Sequence, residues 1–169
     1  MTRIIFASTY GSTAEYAREL AARLGAGVSR IDAQATPNLA PGEPLIAMSP
    51  VHGPSLPAAQ FVKDHLRALG DRPIAVVGVG MSVRPRDQIG HLLGDRVVAF
   101  YLPGRLRYSE LSQAHAKLML GLVAGLKLKP RKSVNDQAII DGYGKDVDRV
   151  DFAKLEPIQR WAAEHAPGA

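Results

Sequence analysis

The sequence predicts an α/β fold built on a parallel sheet with helices on both faces. Three observations carry that expectation. Short apolar runs alternate with stretches of helical periodicity along the chain. Residues 74–79 form a continuous apolar run, the pattern of a strand buried on both faces. The segments after three of the strands, 8–13, 49–55 and 80–87, hold small and hydroxyl residues. In such sheets, ligands sit outside the carboxyl ends of the strands, where these segments lie.

Residues 3–7 read as the first strand. Residues 12–24 have helical spacing and stop at Gly25 and Gly27. Residues 28–31 give a short second strand. Residues 33–44 are rich in Pro and Ala and lack a period, so no helix is assigned there. A third strand spans 45–48. Residues 56–69 place Phe61, Val62, Leu66 and Leu69 at helical spacing, ended by Gly70. The fourth strand is 74–79, a short helix is expected at 86–93, and the fifth strand spans 97–102. A closing helix covers 155–165, with Ile158 and Trp161 inward.

The chain of 169 residues is long enough for one domain with a substantial core, and its hydrophobic share of 46% is ordinary. It has no cysteine, which excludes disulfides, thiolate metal sites and cysteine nucleophiles. No His/Asp/Glu cluster has metal-ligand spacing, so no metal is expected. The first strand begins without an apolar leader, and no apolar run reaches the length of about eighteen residues that a spanning helix needs. The expectation is a cytoplasmic protein. A net charge of +5 suits an acidic partner or an anionic membrane surface.

The loop Ser8-Thr9-Tyr10-Gly11-Ser12-Thr13 carries the chemistry. A strand delivers hydroxyls and one glycine to a helix N-terminus, where free N–H groups and the helix dipole favour a phosphate. The alternative is that Ser12 merely caps the helix. The loop lacks the Walker lysine and the G-x-G-x-x-G pattern, so the expected ligand is a phosphorylated cofactor held without a metal.

These residues resemble the flavodoxin family. The loop is similar to that family's FMN-phosphate motif, [ST]-x-T-G-x-T, with Tyr10 in place of one threonine. The resemblance implies a three-layer flavodoxin-like sandwich over residues 1–169, a five-stranded parallel sheet in order 2-1-3-4-5, and bound FMN. Residues 8–13 would hold the phosphate. Two further loops would hold the ring, through Ser49, Pro50, Val51, His52 and Gly53, and through Gly80, Met81, Ser82 and Val83. Neither loop offers the usual Trp or Tyr for stacking. His52 has two readings, a flavin contact or a solvated loop histidine.

A long insert, about residues 104–148, follows the fifth strand. Its opening run Gly104-Arg105-Leu106-Arg107-Tyr108 is similar to the flavodoxin-type menaquinone-dependent protoporphyrinogen oxidases. So are Phe61-Val62-Lys63-Asp64-His65 and Val150-Asp151-Phe152. That resemblance implies an FMN-dependent oxidoreductase of haem biosynthesis, taking hydrogen from protoporphyrinogen IX and passing it to a quinone. Arg105 and Arg107 would meet substrate propionates, and Tyr108 would pack on the macrocycle. The alternative is an FMN electron carrier or flavin-binding module with a protein redox partner.

The insert is also basic. Residues 105–132 hold Arg105, Arg107, Lys117, Lys127, Lys129, Arg131 and Lys132 against the single acid Glu110. Leu111, Leu118, Met119, Leu122, Val123 and Leu126 are expected on one broad side of a long helix. From Leu111 to Lys132 it could lie on the inner face of a membrane, pack on its own domain, or pair with a second copy through Gly121-x-x-x-Gly125. It lacks interleaved aromatics, so no nucleic-acid role is expected.

Overall fold

The computed structural model describes residues 1–51, 55–81, 97–110 and 113–166. Five parallel strands, β1 (Arg3–Phe6), β2 (Gly27–Arg30), β3 (Leu45–Pro50), β4 (Ile74–Gly80) and β5 (Val97–Pro103), form one sheet. Their order is β2-β1-β3-β4-β5, as the family resemblance implied. The strand and helix limits lie within two residues of the sequence reading, the largest difference being the end of β3 at Pro50 rather than residue 48. The short helix expected at 86–93 lies outside the described residues.

Alternation along the strands sends side chains to two cores. Ile4, Phe6, Ile46, Met48, Val77 and Leu102 face α1 (Ser12–Leu24) and α5 (Glu156–Glu164). Ile5, Leu45, Ala47, Ile74 and Val76 face α2 (Pro57–Leu69). The central strands are apolar at nearly every position because both faces are covered. Ile158 and Trp161 are buried as expected. The closing helix starts one residue later than expected. A 3-10 turn over Phe152–Leu155 precedes it, and the Asp151 carboxylate accepts from the Ala153 N–H at 3.0 Å.

Residues 33–44 form no helix. Buried Glu43 and Arg72 fix this segment instead. Glu43 accepts from the Ala40 N–H at 2.8 Å, and Arg72 donates to the carbonyls of Leu69, Ala40 and Glu43.

The insert corrects the expectation of one long helix. Two short strands, β6 (Arg105–Leu106) and β7 (Val147–Asp148), pair antiparallel and close its base. Between them lie a 3-10 turn (Tyr108–Glu110), α3 (Gln113–Leu128) and α4 (Val134–Asp141). Pro130 cannot continue α3, and Ser133 restarts the chain as α4. The expected single apolar side is also divided. Val123 and Leu126 are buried, whereas Leu118 is 66% and Leu122 45% exposed. The helix is apolar around most of its circumference, so the neighbouring α4 can cover one side only. Leu111 lies outside the described residues. Among the described residues, neither of the two sheet-facing cores draws a residue from between Gly104 and Arg149.

Candidate functional site

In the order β2-β1-β3-β4-β5 the direction of winding changes between β1 and β3. The loop after β1 leaves the sheet at that crevice, where the Ala7 N–H donates to the Met48 carbonyl at 2.9 Å. Gly11 then turns with φ 88° and ψ −35°, a left-handed conformation that suits glycine. It is the N-cap of α1 and, as glycine, brings no side chain of its own to the cap. Ser12 is the first helical residue, which sets aside its reading as the cap. Ser12 and Thr13 are buried, at 7% and 1% exposure. Among the described residues no hydrogen bond occupies the N–H groups of Gly11, Ser12 or Thr13, nor the two hydroxyls. Ser8 Oγ accepts from the Ala14 N–H at 3.4 Å and closes the loop against the helix. Thr9 is exposed, and Tyr10 is half-buried with its phenol pKa pushed up by burial, which keeps it a neutral hydroxyl. A tight glycine turn, unpaired N–H groups and two hydroxyls at a dipole's positive end fit the phosphate of FMN.

The other predicted residues have mixed placements. Ser49 is fully buried, and its Oγ accepts from the Ala58 N–H at 3.0 Å. It therefore supports the start of α2 beneath the loop. Pro50 ends β3, and the Val51 N–H donates to the Val79 carbonyl at 2.9 Å. A Cβ on Gly80 would stand 3.3 Å from Val51 Cβ and 3.2 Å from the Tyr101 hydroxyl, so a side chain there would press on both neighbours. The Met81 carbonyl accepts from Arg149 at 3.3 Å. Pro50, Val51, Gly80 and Met81 thus share the carboxyl edge with residues 8–13. His52, Gly53, Ser82 and Val83 lie outside the described residues.

The insert is tied to the same edge. The Gly104 N–H donates to the Gly80 carbonyl at 2.7 Å. A Cβ on Gly104 would press on Gly80 backbone and Val79 at 3.3 Å, so the first residue of the basic motif must be small. Arg105 is committed to two carboxylates. Nη1 and Nη2 meet Glu15 Oε1 and Oε2 at 2.7 and 3.2 Å, and Nε meets Asp148 Oδ2 at 2.6 Å. These hydrogen bonds raise the Arg105 pKa, while the Val150 N–H and then Arg105 hold the Asp148 carboxyl low against its burial. Arg107 and Tyr108 are half-buried, and the Tyr108 ring stands edge-on to Tyr143 with centroids 5.4 Å apart. After closer hydrogen bonds, the Arg107 charge also lowers the Asp146 and Asp148 carboxyls, so both arginines of the motif act on Asp148.

Sequence reasoning missed three contributors. Tyr16 is fully buried; its hydroxyl donates to the Pro103 carbonyl at 2.8 Å and accepts from the Asp151 N–H at 2.7 Å. Glu15 and Asp148 are the partners of Arg105. Nothing local signals these roles, because each contact joins residues far apart in sequence. Among the described residues, no group of His, Asp or Glu side chains is placed to hold a metal ion.

A family model described as a flavodoxin domain matches residues 3–133, and the chain belongs to that family. Flavodoxin-family domains typically bind FMN and serve redox chemistry. No curated protein matches the chain.

Proposed function

We propose that this chain is an FMN-dependent oxidoreductase whose phosphate site is the loop 8–13. The observation that carries the reading is the set of N–H groups at Gly11, Ser12 and Thr13, unpartnered among the described residues, at the winding switch of a flavodoxin-family sheet. FMN, when bound, supplies hydride and single-electron chemistry. The chain's own residues bind and orient. The α1 N-terminus takes the phosphate, Tyr10 offers a neutral hydroxyl beside it, and Val51 and Met81 border the ring position.

The finer reading is oxidation of protoporphyrinogen IX with a quinone acceptor. Hydrogen pairs leave the porphyrinogen, and the quinone leaves as quinol. The support is the basic motif at 104–108, which abuts the carboxyl edge through Gly104. Within that motif Arg107, whose charge also acts on Asp146 and Asp148, is the proposed contact for a propionate, and Tyr108 the ring for the macrocycle. The quinone resides in a membrane, and α3 gives a surface suited to one. Leu118, Leu120, Leu122 and Leu128 are exposed, and from Gln113 to Ser133 the chain has five cations and no acid. The commitment of Arg105 favours a second reading, an electron carrier with a protein partner, since it removes one substrate cation.

The cofactor test is a titration of the flavin-free protein with FMN, followed by absorbance. Wild type binds and turns yellow; the double variant Gly11→Val/Thr13→Val keeps its circular dichroism but loses FMN. Equal affinity in a folded double variant removes the proposed site. For the substrate, FMN-loaded protein is given protoporphyrinogen with and without menaquinone. Stimulation by quinone supports the oxidase, and its absence leaves the carrier.

A further inference from the structure

Glu15 is the one acidic side chain in the first turn of α1. Its Oε1 lies 3.7 Å from where a Cβ on Gly11 would stand, so the carboxylate borders the loop that takes the phosphate. A helix N-terminus attracts both anions, and a carboxylate so near competes with an incoming phosphate dianion for the same positive end. The insert answers this. Arg105 reaches from β6 and grips both Glu15 oxygens, with its side chain only 13% exposed and its Nε fixed by Asp148.

We propose that Arg105 is a positioning residue for the cofactor phosphate, neutralising the Glu15 carboxylate where it borders the loop. This rests on the FMN reading above. It makes the insert part of the phosphate site, although no residue of the insert needs to touch the phosphate. The consequence is a charge effect with a clear signature: it acts on flavins that carry a phosphate and spares those that do not.

The experiment titrates flavin-free protein with FMN and, separately, with riboflavin, which lacks the phosphate. Wild type, Arg105→Gln, Glu15→Gln and the double variant are compared. Arg105→Gln exposes the full Glu15 charge and weakens FMN about tenfold, the scale of one or two screened charges across the loop. Riboflavin affinity stays constant. The double variant regains wild-type FMN affinity, because the repelling carboxylate is gone. Glu15→Gln alone tightens FMN, and all these differences shrink at high salt.

Equal weakening of FMN and riboflavin by Arg105→Gln makes Arg105 a purely structural clip and overturns the proposal. So does unchanged FMN affinity in that variant, or failure of the double variant to recover. If Arg105→Gln does not fold, Glu15→Gln decides: FMN affinity that stays the same or falls overturns it. Wild type that binds no FMN is a separate result, the failure of the cofactor reading itself.

Discussion

Tyr16 shows how much can rest on one side chain. Its hydroxyl is saturated by a carbonyl at the end of β5 and an N–H of the C-terminal segment, and its ring meets Phe152 edge-on at 5.4 Å. One residue of α1 therefore fixes the helix that carries the phosphate loop against two distant pieces of chain. Tyr16→Phe keeps the ring but strands the Pro103 carbonyl and the Asp151 N–H. An unmet buried group costs about 1–3 kcal/mol, more than the surface ion pairs of this protein contribute. We expect urea unfolding of Tyr16→Phe to show a loss of about 2 kcal/mol with an unchanged slope. A loss within experimental error refutes this anchoring role. The sequence marks Tyr16 as a buried position of an amphipathic helix and no more, since its partners lie 87 and 135 residues away.

At the scale of elements, the sheet was legible and the insert was not. Apolar runs such as 74–79 declare a two-sided strand, because burial on both faces forces every position to be apolar. Gly25 and Gly70 declare helix ends, because each adopts a positive φ after the last helical turn. The turn at 8–13 was legible for a similar reason: it is local to a strand end and a helix start. The ion pairs around Arg105 were not, because they depend on where β6 and β7 meet. Nor was the break between α3 and α4, where a small device starts α4. The Ser133 N–H donates to Asp136 Oδ2 at 2.9 Å, the Asp136 N–H donates to Ser133 Oγ at 3.1 Å, and Lys129 adds a contact at 3.0 Å. The Ser133 N–H, and then Lys129, hold the Asp136 carboxyl down at about 2 from an ordinary 3.8. A carboxyl with a depressed folded pKa stabilises above its unfolded value and loses that contribution as pH falls through the folded one. Amide exchange at the start of α4 should therefore stay slow at neutral pH and quicken as pH falls from about 4 to about 2, after correction for intrinsic rates. Asp136→Asn should be quick throughout. Protection in that variant equal to wild type at pH 7 argues against the device.

The whole molecule divides into a sheet domain and an appendage on its carboxyl edge. Among the described residues, the two sheet-facing cores draw nothing from between β6 and β7, and the hairpin register sets Leu106 opposite Val147. Residues 107–146 can therefore be replaced by Asn-Gly, which suits a two-residue turn between paired strands. The shortened chain keeps Arg105, Glu15 and Asp148, so it should melt cooperatively and bind FMN as wild type does. What it loses is α3. No described helix is long and apolar enough to cross a membrane, so the exposed leucines can meet lipid only at the surface. Leu118 and Leu128 are 66% and 85% exposed, on a side where Gly121 and Gly125 have nothing within 4 Å of a Cβ position. Lys117, Lys127, Lys129, Arg131 and Lys132 surround that apolar surface, and each cation near an anionic bilayer contributes about 1 kcal/mol. The proposed anionic membrane surface would match both features. Full-length protein should sediment with phosphatidylglycerol vesicles at low salt and release at high salt, with little binding to phosphatidylcholine. The shortened chain should remain in the supernatant. Equal sedimentation of the two forms, or none by either, defeats the membrane role. A full-length dimer that becomes a monomer on shortening, without vesicle binding, assigns the leucine face to a second copy instead.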